Sequence, residues 1–215
     1  CEWVGAPKLS PARHVACLAP HLVPGVWGVK LGLSALSEAW MEALLEAVER
    51  LQPRACIWDP VRGPSRGAAV HDVEAYRRLA ARVLSHGRWV VAPNRLEAAC
   101  LAGCDPNASV EALAEPWLEL GAEAVWLKGG HASGDWIEDL WIRDDGIEPL
   151  GGHPRLPGER RGTGCAVASA WLALTLYGRD PIMAAREAAA WLREQWGQGF
   201  RPGGVGRPVL PMGRR

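Results

Sequence analysis

Arg161-Gly162-Thr163-Gly164-Cys165 runs directly into the apolar segment Ala166 to Leu176, a combination able to hold a phosphate-sized anion. Two glycines let the backbone curl without Cβ clashes, and Thr163 offers a hydroxyl. A helix starting here aims its unpaired N–H groups and the positive end of its dipole at whatever occupies the turn. Cys165 falls at the helix start, within the same field, so a reactive group and an oxyanion site would share one loop. That pairing belongs to group transfer. The plainer alternative stays open: Gly-Thr-Gly as a simple turn into a helix, with Cys165 a small core residue.

Further candidates stand where apolar runs end. Asp59 closes the run Ala55 to Asp59, and Lys128 follows Ala124 to Leu127 and opens Lys128-Gly129-Gly130-His131. Asn94 and Glu97 lie one helical turn apart after Pro93, so both could face one side of a helix start. Each has an ordinary reading too. Asp59 could cap a loop, Asn94 with Glu97 could be a capping pair, and Lys128 could be a solvated lysine, although adjoining glycines admit a ligand against backbone.

The elements that must position these residues follow from periodicity. Ser37 to Leu51 spaces Trp40, Leu44, Leu45, Val48 and Leu51 as a helix, and Ala55 to Asp59 reads as a buried strand. His71 to Leu84 repeats the helical pattern, Trp89 to Ala92 is a second strand, and Asn94 to Leu101 is a short helix closing at Gly103. Val110 to Leu120 predicts a helix with Pro116 inside it, and Ala124 to Leu127 predicts a third strand. Trp136 to Arg143 alternates imperfectly, and Asp144-Asp145-Gly146 turns it into Ile147 to Leu150 as a hairpin. Helices over Ala166 to Leu176 and Ile182 to Trp196 follow, then an irregular Gly, Pro and Arg-rich tail. Strands alternating with helices predict an α/β fold: one domain over residues 1–215, built on a mainly parallel sheet with helices on both faces. Ligands in such folds collect beyond the carboxyl ends of the strands, where Asp59, Asn94, Lys128 and the glycine turn all fall.

Composition narrows the partners. Lys plus Arg number 24 and Asp plus Glu number 24, so no overall field recruits nucleic acid or an anionic membrane, although Arg155, Arg160 and Arg161 form a basic spot beside the glycine turn. The cysteines, at positions 1, 17, 56, 100, 104 and 165, form no Cys-x-x-Cys pair, which predicts free thiols in a reducing compartment. The apolar stretch Val15 to Leu36 is broken by Pro20, Pro24, Gly25, Gly28, Lys30 and Gly32 and predicts no membrane-spanning helix. No secretory leader is evident, and a cytoplasmic protein is expected. Twelve tryptophans are scattered along the chain and read as core and surface aromatics.

Asp59-Pro60-Val61, Pro93-Asn94-Arg95-Leu96-Glu97, Lys128-Gly129-Gly130-His131 and Gly162-Thr163-Gly164-Cys165, in this order and spacing, resemble the ribokinase-like small-molecule kinases. Within them the chain looks like the hydroxymethylpyrimidine/phosphomethylpyrimidine kinases of thiamine biosynthesis, on the strength of the Cys that ends the Gly-Thr-Gly loop and of Lys-Gly-Gly-His. The resemblance runs from Lys30-Leu31-Gly32 to Gly203-Gly204-Val205-Gly206-Arg207-Pro208-Val209. It implies phosphoryl transfer from MgATP to a pyrimidine alcohol or to its phosphate. Cys165, Gly162 and Gly164 would be the catalytic turn, Cys165 serving as general base or as the group that orients the acceptor hydroxyl. Lys128, Thr163, Asn94, Glu97 and Gly130 would meet the nucleotide, Asp59 and Glu97 would hold Mg²⁺ through waters, and Gly32, Leu33 and Val61 would border the pyrimidine. Relatives of this kind are often homodimers.

The pattern also departs from the family. Its opening strand, Gly-rich segment and first helix have no counterpart in Cys1 to Val29, and the first residue is Cys, so a chain without the family's front is expected. Arg161 stands where the branch usually carries His, and Arg62 follows Val61 in place of a thioether. A related kinase, such as one for pyridoxal, and a non-catalytic nucleotide-binding member are the alternatives.

Overall fold

The computed structural model describes residues 28–32, 38–62, 72–131, 134–199 and 208. Leu33 and most of the Gly-rich tail lie outside the described residues.

Six strands form one sheet: β1 (Gly28–Leu31), β2 (Ala55–Trp58), β3 (Val90–Val91), β4 (Ala124–Leu127), β5 (Trp136–Arg143) and β6 (Gly146–Pro154), side by side in chain order. The first four run parallel, and β4, β5 and β6 pair antiparallel. The mainly parallel sheet expected from the sequence is therefore present. β1 was not expected. Its four residues include Gly28 and Lys30, and Gly32 follows it, so no apolar run marks it in the sequence; register against β2, Gly28 to Ala55 through Leu31 to Trp58, makes it a strand. Gly28 is needed there because a Cβ would stand 2.7 Å from the Leu172 side chain.

The helices are α1 (Glu38–Leu51), α2 (Val73–Leu84), α3 (Arg95–Ala102), α4 (Val110–Glu119), α5 (Thr163–Leu176) and α6 (Pro181–Gln195). Three of the starts are written in side-chain caps: Asp72 accepts from Ala75 N–H, Ser109 from Ala112 N–H, and Asp180 from the amides of Ile182 and Met183. α3 ends on Gly103 in the left-handed conformation, φ 71°. Pro116 sits inside α4 without ending it, and the neighbouring Trp117 is completely buried.

The sheet is covered on both faces. Cys56, Trp58, Val91, Val125 and Leu127 point into a core made with α1 to α4, where Trp58, Tyr76 and Trp117 pack edge to face or tilted at 5.7 to 6.5 Å between ring centroids. Ile57, Val90, Ala124 and Trp126 point the other way, into a second core with α5 and α6 around Trp141 and Trp171. Alternate residues of each strand serve opposite layers, which explains strands that read as unbroken apolar runs. Trp58, Trp89, Trp117, Trp126 and Trp171 are fully buried, each removing a large apolar area from water and so anchoring a layer. Most of the tryptophans described are thus core residues, and Trp136, 60% exposed, is the counterexample.

Candidate active site

The carboxyl ends of the parallel strands are laced together by backbone bonds that carry the pairing past the last strand residue. Asp59 N–H donates to Leu31 C=O at 2.9 Å, Ala92 N–H to Trp58 C=O at 2.8 Å, and Lys128 N–H to Pro93 C=O at 2.9 Å, with an isolated parallel bridge between Asn94 and Lys128. Asp59, Asn94 and Lys128, separated widely in sequence, are thereby fixed along one rim of the sheet.

At the centre of that rim Lys128 Nζ donates to Asp59 Oδ1 at 2.6 Å. Asp59 is completely buried and the Lys128 side chain nearly so. Burial alone would push the Lys128 ammonium toward its neutral form, but the charges of Asp59 and Glu97 overcome this and hold its pKa above the usual lysine value. The other carboxylate oxygen, Asp59 Oδ2, is buried without a hydrogen-bond partner, which is rare and costly for a charged group.

Asn94 and Glu97 form a reciprocal capping box: Glu97 N–H donates to Asn94 Oδ1 at 3.0 Å, and Asn94 N–H donates to Glu97 Oε2 at 2.8 Å. The capping reading is therefore realised, and it fixes where the Glu97 carboxyl stands. Burial raises its pKa to about 7, partly opposed by Lys128 and the Asn94 hydrogen bonds and reinforced by Asp59. Asp59, Lys128 and Glu97 are one electrostatic cluster.

α5 starts against this cluster. Gly162 is its N-cap, in the left-handed conformation at φ 77° and without a side-chain capping bond, so only a residue free of the Cβ penalty sits easily there. The first intrahelical bond is Ala166 N–H to Gly162 C=O at 2.8 Å, leaving the amides of Thr163, Gly164 and Cys165 ahead of it. A Cβ on Gly164 would lie 3.1 Å from Asp59 Oδ2 and 3.2 Å from Lys128 Nζ. The glycine thus lets a helix N-terminus approach a buried ion pair. Cys165 is exposed at the mouth of the turn, not a core residue.

Gly32 and Val61 follow β1 and β2 at the same rim. Val61 N–H donates to Asp59 C=O at 2.8 Å, and the Lys30 ammonium lies 2.8 Å from where a Gly32 Cβ would stand. The two glycines after Lys128 have different tasks. A Cβ on Gly130 would meet nothing within 4 Å among the described residues, whereas a Cβ on Gly129 would collide with the Glu138 backbone; protein, not ligand, demands the first glycine. The expected basic spot is also redirected. Arg155 donates to the carbonyls of Gly134 and Gly130, and Arg160 donates to Trp196 C=O with its guanidinium 5.5 Å from that ring's centroid. Both tie chain segments together through backbone oxygens.

Sequence reasoning passed over Asp139, whose carboxylate accepts from Gly129 N–H and Trp126 Nε1–H. A groove of about 720 Å³ lies at the opposite end of the sheet, against Ala55, Val90 and Ala124, and contains none of the candidate residues. Among the described residues no helix is long and apolar enough to cross a membrane.

Comparison with known proteins agrees with this geometry. The phosphomethylpyrimidine kinase family profile matches residues 24–210. The hydroxymethylpyrimidine/phosphomethylpyrimidine kinase of Rhizobium meliloti (strain 1021) is 32% identical over 176 residues, covering 78% of this chain and 63% of that protein. The same enzyme of Aquifex aeolicus (strain VF5) is 29% identical over 170 residues, covering 78% and 66%. The chain thus spans between 63% and 66% of the length of these two relatives. Among solved structures, the pyridoxal kinase from Staphylococcus aureus in complex with AMP-PCP superposes with a TM-score of 0.77 at 23% identity, over 90% of this chain and 70% of that one. The phosphomethylpyrimidine kinase from Clostridium difficile 630 gives 0.66 at 20% identity, over 85% and 74%. The fold is accordingly the ribokinase-like α/β fold, and the chain belongs to the phosphomethylpyrimidine kinase family.

Proposed function

We propose that this chain transfers the terminal phosphoryl group of ATP to the alcohol of hydroxymethylpyrimidine, and to the phosphate of its monoester, in thiamine biosynthesis. The carrying observation is the start of α5, where Gly164 stands against the buried Asp59–Lys128 pair and the amides of Thr163, Gly164 and Cys165 precede the first intrahelical bond. Phosphoryl transfer asks little covalent chemistry of a protein; it asks for positioning and for charge opposite the transferring oxygens. The helix N-terminus supplies the first set of donors, with the Thr163 hydroxyl beside them, and the Lys128 ammonium, held by Asp59, a fixed positive charge next to it. Gly130, uncrowded among the described residues, admits phosphate oxygens against backbone.

The acceptor oxygen forms the new O–P bond as the bond between phosphorus and the ADP oxygen breaks. Its proton leaves past Cys165, whose exposed sulfur at the mouth of the turn takes it or orients the hydroxyl. Gly32 and Val61, which follow the adjacent strands β1 and β2, border the pyrimidine; Leu33, the third residue expected there, lies outside the described residues.

The donor set fits Mg²⁺. A buried carboxylate oxygen without a partner, Asp59 Oδ2, and the Glu97 carboxyl beside it are hard oxygen ligands of the kind this ion takes alongside waters and phosphate oxygens. When bound, the ion neutralises charge on the nucleotide phosphates. Asn94 holds Glu97 in place for it through the capping box.

A kinase assay offering hydroxymethylpyrimidine, its phosphate and pyridoxal with MgATP tests the reading. Turnover of the first two supports it. Turnover of pyridoxal alone reassigns the substrate, and ADP binding without turnover of any of the three reassigns the chain as a nucleotide-binding protein.

A further inference from the structure

We infer that Asp139 is a positioning residue for the nucleotide-phosphate site, acting through the Gly129 amide on the Lys128-Gly129-Gly130 turn. The inference rests on the phosphotransfer reading above.

Lys128 must hold its ammonium at one place on the rim, yet the chain beyond it leaves β4 at once and enters a single 3-10 turn, Gly129–His131. A turn that short carries little stability of its own. Arg155 holds its Gly130 carbonyl, and β5 fixes its first residue. Asp139 accepts from Gly129 N–H at 2.8 Å and from Trp126 Nε1–H at 3.0 Å, so one carboxylate clamps the residue after Lys128 and a completely buried indole two residues before it. The β5 backbone closes the turn from the same side: a Cβ on Gly129 would collide with Glu138 C=O.

Asp139 also stands at an irregularity in the sheet. Pairing of β5 with β6 passes from Glu138 opposite Gly152 to Leu140 opposite Pro149, the kind of register break that re-aims a side chain beside a site. The residue as a whole is half-buried, but its carboxylate is removed from water. That desolvation raises its pKa, against the pull of the Gly129 and Trp126 hydrogen bonds and of Lys128. Desolvating an acidic group in mid-strand is costly. Two hydrogen bonds to a turn that carries the candidate phosphate lysine are what offsets it here.

The test is titration of the full chain with ADP and Mg²⁺ by calorimetry, for the parent, Asp139→Ala and Asp139→Asn, with amide exchange at Gly129 read on the nucleotide-free proteins. Asp139→Ala should weaken ADP binding about tenfold, the scale of a lost hydrogen bond to a charged group, and should lose protection at Gly129. Asp139→Asn keeps an acceptor for Gly129 N–H and should bind ADP within about threefold of the parent. With substrate, Asp139→Ala should raise KM for ATP while leaving KM for the pyrimidine alcohol unchanged. Equal ADP affinity in parent and folded Asp139→Ala overturns the inference, as does a lowered melting temperature with unchanged ADP affinity. Should Asp139→Ala not fold, the Asn variant decides: retained Gly129 protection with near-parental ADP affinity supports the role, and retained protection with lost affinity overturns it. A parent chain that binds no ADP overturns the phosphotransfer reading itself, which is a different result.

Discussion

Lys128 and Asp59, 69 residues apart in sequence, meet at 2.6 Å across the carboxyl ends of β4 and β2, and a Cβ on Gly164 would come within 3.2 Å of the lysine nitrogen. A buried ion pair is a weak stabiliser as a whole, but removing one member strands the other. Lys128→Met should therefore lower unfolding stability by about 3 kcal/mol or more by leaving the Asp59 carboxylate unpaired. Adding Asp59→Asn should restore part of that loss. Urea unfolding of the two single variants and the double variant checks this, and additive losses would mean that the pair is not coupled in solution.

Glu97 sets a pH dependence of the metal-free protein. Its pKa rises from the ordinary 4.5 of a glutamate to about 7 in the fold, so between these values the folded state holds more proton than the unfolded chain. Stability should then be full below about pH 4.5 and decline as pH rises through 7, by roughly 3 kcal/mol from this group. Glu97→Gln keeps an acceptor for the Asn94 amide and removes the titration. The unfolding free energy of the parent relative to the variant, measured from pH 4.5 to 8 with a chelator present, should fall as pH rises within that window; a flat or rising difference would contradict the burial argument.

Gly162 and Gly164 should respond differently to alanine. At Gly162 the added methyl meets open space but the backbone is left-handed, so Gly162→Ala should cost about 1 to 2 kcal/mol of stability. At Gly164 the methyl presses on Asp59 and Lys128, so Gly164→Ala should instead weaken ADP binding, by about tenfold. Thermal unfolding and calorimetry on both variants separate strain from crowding, and identical profiles would refute the distinction.

Cys165 is exposed in the first turn of α5, where the proposed reaction would bring the acceptor hydroxyl. Cys165→Ala should reduce turnover by about 100-fold or more and leave ADP affinity within about threefold. Unchanged turnover would remove Cys165 from the reaction.

Much of this was legible in the residues. α3 could be read from end to end because Asn94, Glu97 and Gly103 write its caps in side chains and a left-handed glycine. β2 and β4 were found because both faces of each are buried and the run is apolar throughout. β1 was missed since a four-residue strand with glycine and lysine in it has no pattern of its own and exists through pairing with β2. β6 runs to Pro154 and not merely to Leu150. Its Gly151 and Gly152 look like loop, yet Gly152 is where the exposed Trp136 ring lies across the strand, on space a Cβ would fill. Asp139 escaped notice for a related reason. An acidic residue in a strand normally faces solvent, and the partners that turn it inward, Trp126 and Gly129, belong to another strand's end. The sole trace was the broken alternation of Trp136 to Arg143.

The central claim is that the amides opening α5 grip the nucleotide's phosphate. Amide chemical shifts of the isotope-labelled chain, followed on addition of ADP and Mg²⁺, test it directly. The account predicts the largest changes at Thr163, Gly164 and Cys165, with Gly129 and Gly130 next. Changes confined to the groove at the far end of the sheet, around Glu49, His86 and Arg143, or none at residues 162–165, would contradict it.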